Sequence, residues 1–422
     1  MEPRRTCLAV AAAAVAAAAV ALSRPAPPPR DGVTPAAAAR LDGAWAAADG
    51  LAAATSRVGG GAIRSGETVF FHPAACTPYT ADAGGGLWRL PPPPPPRPPA
   101  AEGGRGGYPA DADRLPAPVR VGGWGVPPSA PPFPPTVPPC AGRRRAAARW
   151  WSPPPAAATA AAAAARPVAY ANAVAVCPVS GTVYFTDSSV IAPPPFPGAR
   201  GGGGGGGDRG GRVDTFEASV RDALSGVPTG CLLAVDPAGP RGAVVRAVTP
   251  HAFHFANGVA VAPDGRSVVV AETYGARLVR VALPSGAVSR LGPPLPGMPD
   301  GVSRDDSARG GYWVSVFVPV PPMLRALRVA PAWARRLVAA VPRRLRPYRT
   351  PYSVVAHVTE AGEVDGMLGD PRRALGLVSS VARCVSRGGG ATPLYLGVLL
   401  GNFVGRVDGA GGDVPSAVSA SQ

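Results

Sequence analysis

Four times along this chain an oxygen-bearing side chain heads a short alternating apolar run: "ETVFFHP" from Glu67, "NAVAVCP" from Asn172, "NGVAVAP" from Asn257 and "DGVSRDD" from Asp300. A second run rich in Val, Tyr, Phe and Trp follows each one ("TPYTADA", "GTVYFTDSS", "RSVVVAETY", "GGYWVSVFV"), with Gly or Asp-Gly turn signals between them. Third runs come next in "GCLLAVDP", "ARLVRVAL", "YSVVAHVT" and "NFVGRVD", and a fifth copy begins near Ser379 without a carboxylate or amide at its head. Asn257 and Asp300 are 43 residues apart, the length of one four-stranded propeller blade. The longer intervals hold a blade plus an insertion, and the 105 residues from Glu67 to Asn172 leave room for two blades. The chain is predicted to be all-β, a six-bladed propeller over 62–410, with its second blade degenerate in sequence or its coding sequence misassembled there. Residues 91–166, rich in Pro and Ala, show no strand pattern.

The innermost strand of each blade runs along the central channel, so equivalent positions converge on the axis. Glu67, Asn172, Asn257 and Asp300 then form one ring of two carboxylates and two amide carbonyls. Such hard oxygen donors suit Ca²⁺, with water or a substrate completing its shell. The chain contains only three asparagines, and two of them occupy this slot. The alternative is that Asn and Asp head these strands because they favour turns through local backbone hydrogen bonds.

"VYFTDSS", "PTGCLLAVDP", "FANGVAVAPDGRSVVVAET" and "LPGMPDGVSRDDSARGGYWVSV" resemble the strictosidine synthase-like and adipocyte plasma membrane-associated protein-like family, related to paraoxonases and gluconolactonases. The resemblance spans 62–90 and 168–410. It implies a six-bladed propeller whose related calcium hydrolases place a Glu, two Asn and an Asp on the axis, matching Glu67, Asn172, Asn257 and Asp300. It implies a metal-dependent hydrolase of esters or lactones acting on a small molecule in the central channel. Ala173 and Gly301 stand where paraoxonase-like enzymes add a further acid or amide, so this ring is leaner. The stretch matching the glutamate of strictosidine synthase, "GLVSSVARCVSRGGG", holds no acid, which argues against amine–aldehyde condensation. A binding or scaffold propeller with a structural metal is the non-enzymatic alternative.

Arg4 and Arg5 followed by about fifteen apolar residues make 1–23 a signal peptide or anchor and the secretory pathway the expected compartment. Residues 24–61 read as a low-complexity linker, 190–213 as a Gly-rich insertion and 411–422 as a disordered tail. All 42 basic residues are arginine, scattered without interleaved aromatics, so nucleic acid is not an expected partner. The segment 319–349 reads as a basic lid. With the N-terminus, its 322–349 stretch is the candidate for membrane association; no oligomeric state follows. Five cysteines outside the leader show no metal spacing, and their odd number argues against a disulfide framework. Of four histidines, His254 is the candidate general base, three residues before Asn257; His72 is a weaker one, and His251 and His357 read as structural.

Overall fold

The computed structural model describes residues 45, 49–63, 65–71, 76–81, 86–91, 118–123, 168–194, 213–236, 245–249, 252–341, 346, 352–385 and 393–408. The expectations for 1–23, His72, His251 and the tail fall outside them.

Valine-rich strands pair antiparallel in five four-stranded sheets. One comprises β2–β5 (Thr68–Phe71, Pro78–Ala81, Gly86–Arg89, Val119–Gly123) and the next β6–β9 (Ala171–Val176, Val183–Asp187, Cys231–Val235, Val245–Ala247). Then come β10–β13 (Ala256–Val261, Ser267–Glu272, Arg277–Ala282, Val288–Leu291) and β14–β17 (Met298–Arg304, Tyr312–Val318, Tyr352–Val358, Val364–Gly369). The last sheet takes β18–β20 (Val378–Ala382, Leu394–Val398, Val404–Val407) and is completed by β1 (Thr55–Val58), with Thr55 opposite Val407 and Val58 opposite Val404. The inner strands adjoin in the order β2, β18, β14, β10, β6. The molecule is an all-β propeller.

Three expectations are corrected here. The described residues form five blades, not six. Spacing counts connections as well as strands, and the interval from Glu67 to Asn172 yields one described sheet. The fourth strand of that sheet, β5, lies inside the 91–166 stretch that showed no strand pattern, and 124–167 fall outside the described residues. The propeller also starts earlier than residue 62: the one-turn helix α1 (Leu51–Ala54) and β1 belong to it, with Leu51 buried beside Leu396 and Val398. Finally, Cys76 and Cys384 form a disulfide across 308 residues, tying the first blade to the last. Among the described cysteines Cys177 alone is free.

The core lies between blades. Val259 and Val261 of β10 pack on Tyr184, Leu232 and Ala234 of the preceding blade, while Ala260 on the other side of the strand joins Tyr312, Val314 and Val316. Buried hydroxyls stitch the second described blade to the third, the third to the fourth, the fourth to the fifth and the fifth to the first. Thr186 donates to the Asn257 carbonyl (2.7 Å), Thr273 to Pro299 (2.8 Å), Ser315 to Ser379 (2.7 Å) and Ser379 to Glu67 (2.8 Å). Each hydroxyl gives a buried carbonyl of the next blade a partner, and an orphaned buried carbonyl would cost about 1–3 kcal/mol. His357 is buried in β16, its Nδ1 2.6 Å from Asp365 and its Nε2 2.8 Å from the Gly310 carbonyl, a structural position as expected.

Three helices cap one end of the channel: α2 (Thr215–Ser225), α3 (Pro322–Val329) and α4 (Ala332–Ala340). They pack on one another through Leu224, Leu327, Ala330 and Ala334. Asp214 caps α2 by accepting the Glu217 N–H at 2.9 Å, and Gly226 ends it at φ +62°.

Candidate axial site

Each ring residue after Glu67 sits at a break in its own strand. The β6–β7 register shifts between Ala171 and Val174, the β10–β11 register between Ala256 and Val259, and the β14–β15 register between Pro299 and Val302. Such a bulge adds a residue to one strand and re-aims its side chain. Here the re-aimed residues are Asn172, Asn257 and Asp300, and Glu67 precedes the first residue of β2. The fifth inner strand breaks the same way between Val378 and Ser380, which puts Ser379 in the equivalent slot with its hydroxyl committed to Glu67 O.

The four predicted residues converge. Together they line a channel cavity of about 320 Å³ bounded by the inner strands. On the other side they floor a cavity of about 170 Å³ roofed by α2 and α3, whose walls include Tyr170, Phe216, Phe255, Tyr274, Leu324 and Leu327. The ring therefore lies between a channel cavity and a largely apolar chamber walled by α2 and α3.

The amides are held in one orientation. Ser188 spends its proton on the Ala256 carbonyl (2.6 Å), so towards Asn172 it can only accept, and Asn172 Nδ2 donates to it at 2.9 Å. Thr273 likewise spends its proton on Pro299 O, and Asn257 Nδ2 donates to it at 3.2 Å. A flipped amide would set two acceptors face to face. Each Oδ1 is thus left as the acceptor available to the shared cavities. In both pairs the hydroxyl stands 16 residues after the asparagine.

The carboxyls are electrostatically uneasy. Burial raises Asp300 well above the ordinary carboxylate range, the charge of Glu67 raises it further, and a hydrogen bond from Asn257 pulls it partly back. Glu67 is raised by burial as well. It keeps accessible surface because it faces the channel, yet protein surrounds it on every other side, and confined channel water solvates a carboxylate less well than bulk. Tyr170 is pushed far up by burial and by Glu67; its hydroxyl donates to Thr215 O at 3.1 Å, so it stays a neutral phenol.

The donor set fits a hard divalent cation: two carboxyls whose mutual repulsion it would relieve, and two fixed amide oxygens. Among the described residues no group of three or more His, Cys, Asp or Glu comes together, so the amides are essential to any such site. His254 lines neither cavity; its N–H is held by Glu272 (2.8 Å), which also takes Arg277 at 2.6 Å in a buried ion pair. Asp187 is buried and accepts the Tyr170 N–H at 2.7 Å.

Sequence reading missed the orienting hydroxyls Ser188 and Thr273, the wall residue Tyr170 and the helix α2. The equal 16-residue spacing marked the first pair. Asp214, Glu217 and Gly226 are ordinary start and stop signals for the helix. Asp222 of α2 is buried, accepts from Ser189 (2.6 Å) and Thr229 (3.2 Å), and is pushed up to about 7 by burial, anchoring the lid on the second described blade.

No protein-family profile matches the chain. Among curated proteins it is similar to adipocyte plasma membrane-associated protein of Salmo salar, 35% identical over 28% of this chain and 34% of that protein. It is also similar to the Danio rerio protein of that name, 32% over 37% and 38%, and to Arabidopsis thaliana strictosidine synthase-like 10, 29% over 36% and 41%. The resemblance read from the motifs is thus borne out, and the matched region spans a third to two fifths of those relatives. Solved structures similar to it include Agrobacterium tumefaciens regucalcin, a calcium-binding protein (14% identity, 84% of this chain and 93% of that one, TM-score 0.41), and a putative gluconolactonase (16%, 58% and 60%, 0.31). Likenesses this slight say nothing about ligand or reaction.

Proposed function

We propose that this propeller is a Ca²⁺-dependent hydrolase of esters or lactones, working at the axial ring. The carrying observation is the position of Glu67, Asn172, Asn257 and Asp300 between a channel cavity and an apolar chamber walled by α2 and α3, with both amide oxygens fixed. Bound by these four oxygens, the cation would polarise a substrate carbonyl as a Lewis acid. The chain does the rest. Phe255, Tyr274, Leu324 and Leu327 hold the apolar body of the substrate and exclude bulk water. A ring carboxylate would take the proton of the attacking water. With His254 outside both cavities, Glu67 is the better base because it faces the channel. A matched relative is named for association with the plasma membrane, which supports a secretory-pathway or membrane setting for this chain.

The test is hydrolysis of a panel of lactones and aryl esters with calcium and with chelator. Turnover that needs calcium and is lost in Glu67→Gln and Asp300→Asn is expected. Turnover equal in chelator would sink the reading. Calcium binding without turnover on any substrate would leave a binding propeller with a structural metal.

A further inference from the structure

The lid has two unlike faces. Inward, Leu324 and Leu327 are buried and line the chamber roof, and Ala334 is buried against α2. Outward, Trp333 is 54% exposed and Leu337, one turn further along α4, 42% exposed; Val329 at the end of α3 is 51% exposed. Exposed beside them are Arg325 and Arg336. From 319 to 349 the sequence carries eight arginines and no acidic residue. A tryptophan and a leucine sit side by side on the helix surface with the exposed cations Arg325 and Arg336 beside them, while Arg346 is already paired with Glu217 of α2 at 3.2 Å.

We propose that this outer face docks on an anionic lipid bilayer, with Trp333, Leu337 and Val329 entering the headgroup–acyl boundary and the arginines contacting lipid phosphates and carboxylates. The residue types are those of helices that lie in the interface plane: a bulky apolar side with arginine alongside it. The charge sign selects anionic lipid, each arginine near such a surface adding about fivefold in partitioning. Docking of this kind brings the chamber roof against the lipid, so apolar substrates reach the ring from the membrane rather than from water. That consequence rests on the proposed function; the docking itself does not.

The test uses the full chain with vesicles of phosphatidylcholine alone or mixed with phosphatidylglycerol, followed by co-sedimentation and by tryptophan quenching with brominated lipid. Binding to the anionic vesicles is expected to exceed binding to the neutral ones, with quenching that largely disappears in Trp333→Phe. Trp333→Ser combined with Leu337→Ser lowers partitioning at least ~tenfold, and Arg325→Gln with Arg336→Gln lowers it by a few-fold to ~25-fold. All four side chains are exposed, so thermal unfolding of both variants stays at the parent value and a folding defect is recognised if it does not. If one pair misfolds, the other carries the test. Absence of vesicle binding overturns the proposal. So does binding whose strength and quenching are unchanged by these substitutions, which would assign it to another part of the chain. A chain that binds vesicles yet hydrolyses nothing leaves the docking standing and removes only the proposed chemistry.

Discussion

β6 reads ANAVAV and β10 reads ANGVAV, one residue apart, yet they live in opposite surroundings. Every residue of β10 is buried, while Val174 and Val176 of β6 are 65% and 60% exposed. The difference lies in the neighbours. The valines of an inner strand face the preceding blade and the small residues between them face the following one. Val259 and Val261 meet Tyr184, Leu232 and Ala234. Among the described residues, no sheet packs over Val174 and Val176 on that side. The small residues of both strands are packed: Ala173 and Ala175 against the core between the second and third blades, Ala260 against that between the third and fourth. Identical patterns thus acquire a core only where the next sheet supplies the other half of it.

The largest test of this comparison is the one residue that differs. A Cβ on Gly258 would stand 2.2 Å from Val302 N and 2.6 Å from Asp300 O, both backbone atoms that cannot step aside. Gly258→Ala is expected to cost more than about 3 kcal/mol, the range of severe overpacking. Ala173→Gly in β6 should cost only about 1 kcal/mol. Denaturant unfolding measures both, and similar costs would break the comparison.

The valines come next. Val259→Ala should lose about 2 kcal/mol from transfer and cavity terms. Val174→Ala should stay within about 0.5 kcal/mol. A loss at Val174 equal to that at Val259 would mean that the outer side of β6 is covered after all.

A smaller effect sharpens the comparison at the ring. Thr273→Val keeps the shape but removes the acceptor that orients Asn257, and Ser188→Ala does the same for Asn172. Calcium affinity, read by calorimetry, should fall about tenfold in each, the lower end of what supporting hydrogen bonds around a metal contribute. An unchanged affinity would mean the amides need no orientation from outside the ring.

The strand heads and the slot residues were legible because burial on both sides of an inner strand demands alternation and because asparagine is so scarce here. The blade count was not, since spacing cannot separate a strand from a Pro-rich connection; β5, with only Val-Arg-Val-Gly-Gly, hides in one. β1 was equally silent: Thr-Ser-Arg-Val gains its meaning only from Val404–Val407, about 350 residues away. The Cys76–Cys384 pair could not be read for the same reason. Ser188 and Thr273 look like ordinary strand-end hydroxyls until the neighbouring blade places a carbonyl against them.

The central claim is that the axial ring binds a divalent cation, and thermal unfolding with calcium and with chelator, repeated across pH, tests it most directly. In chelator both carboxyls are raised by folding, by burial and, for Asp300, also by the charge of Glu67, so above the ordinary carboxylate range the folded state binds more protons than the unfolded chain. These groups therefore favour the fold at low pH, and stability is lost as pH rises from the ordinary carboxylate range through their raised values. Calcium should reverse that loss at neutral pH, adding about 2.7 kcal/mol at a hundredfold excess over Kd, and the gain should vanish in Asp300→Asn. No gain with calcium, or a gain that Asp300→Asn leaves intact, would contradict the account.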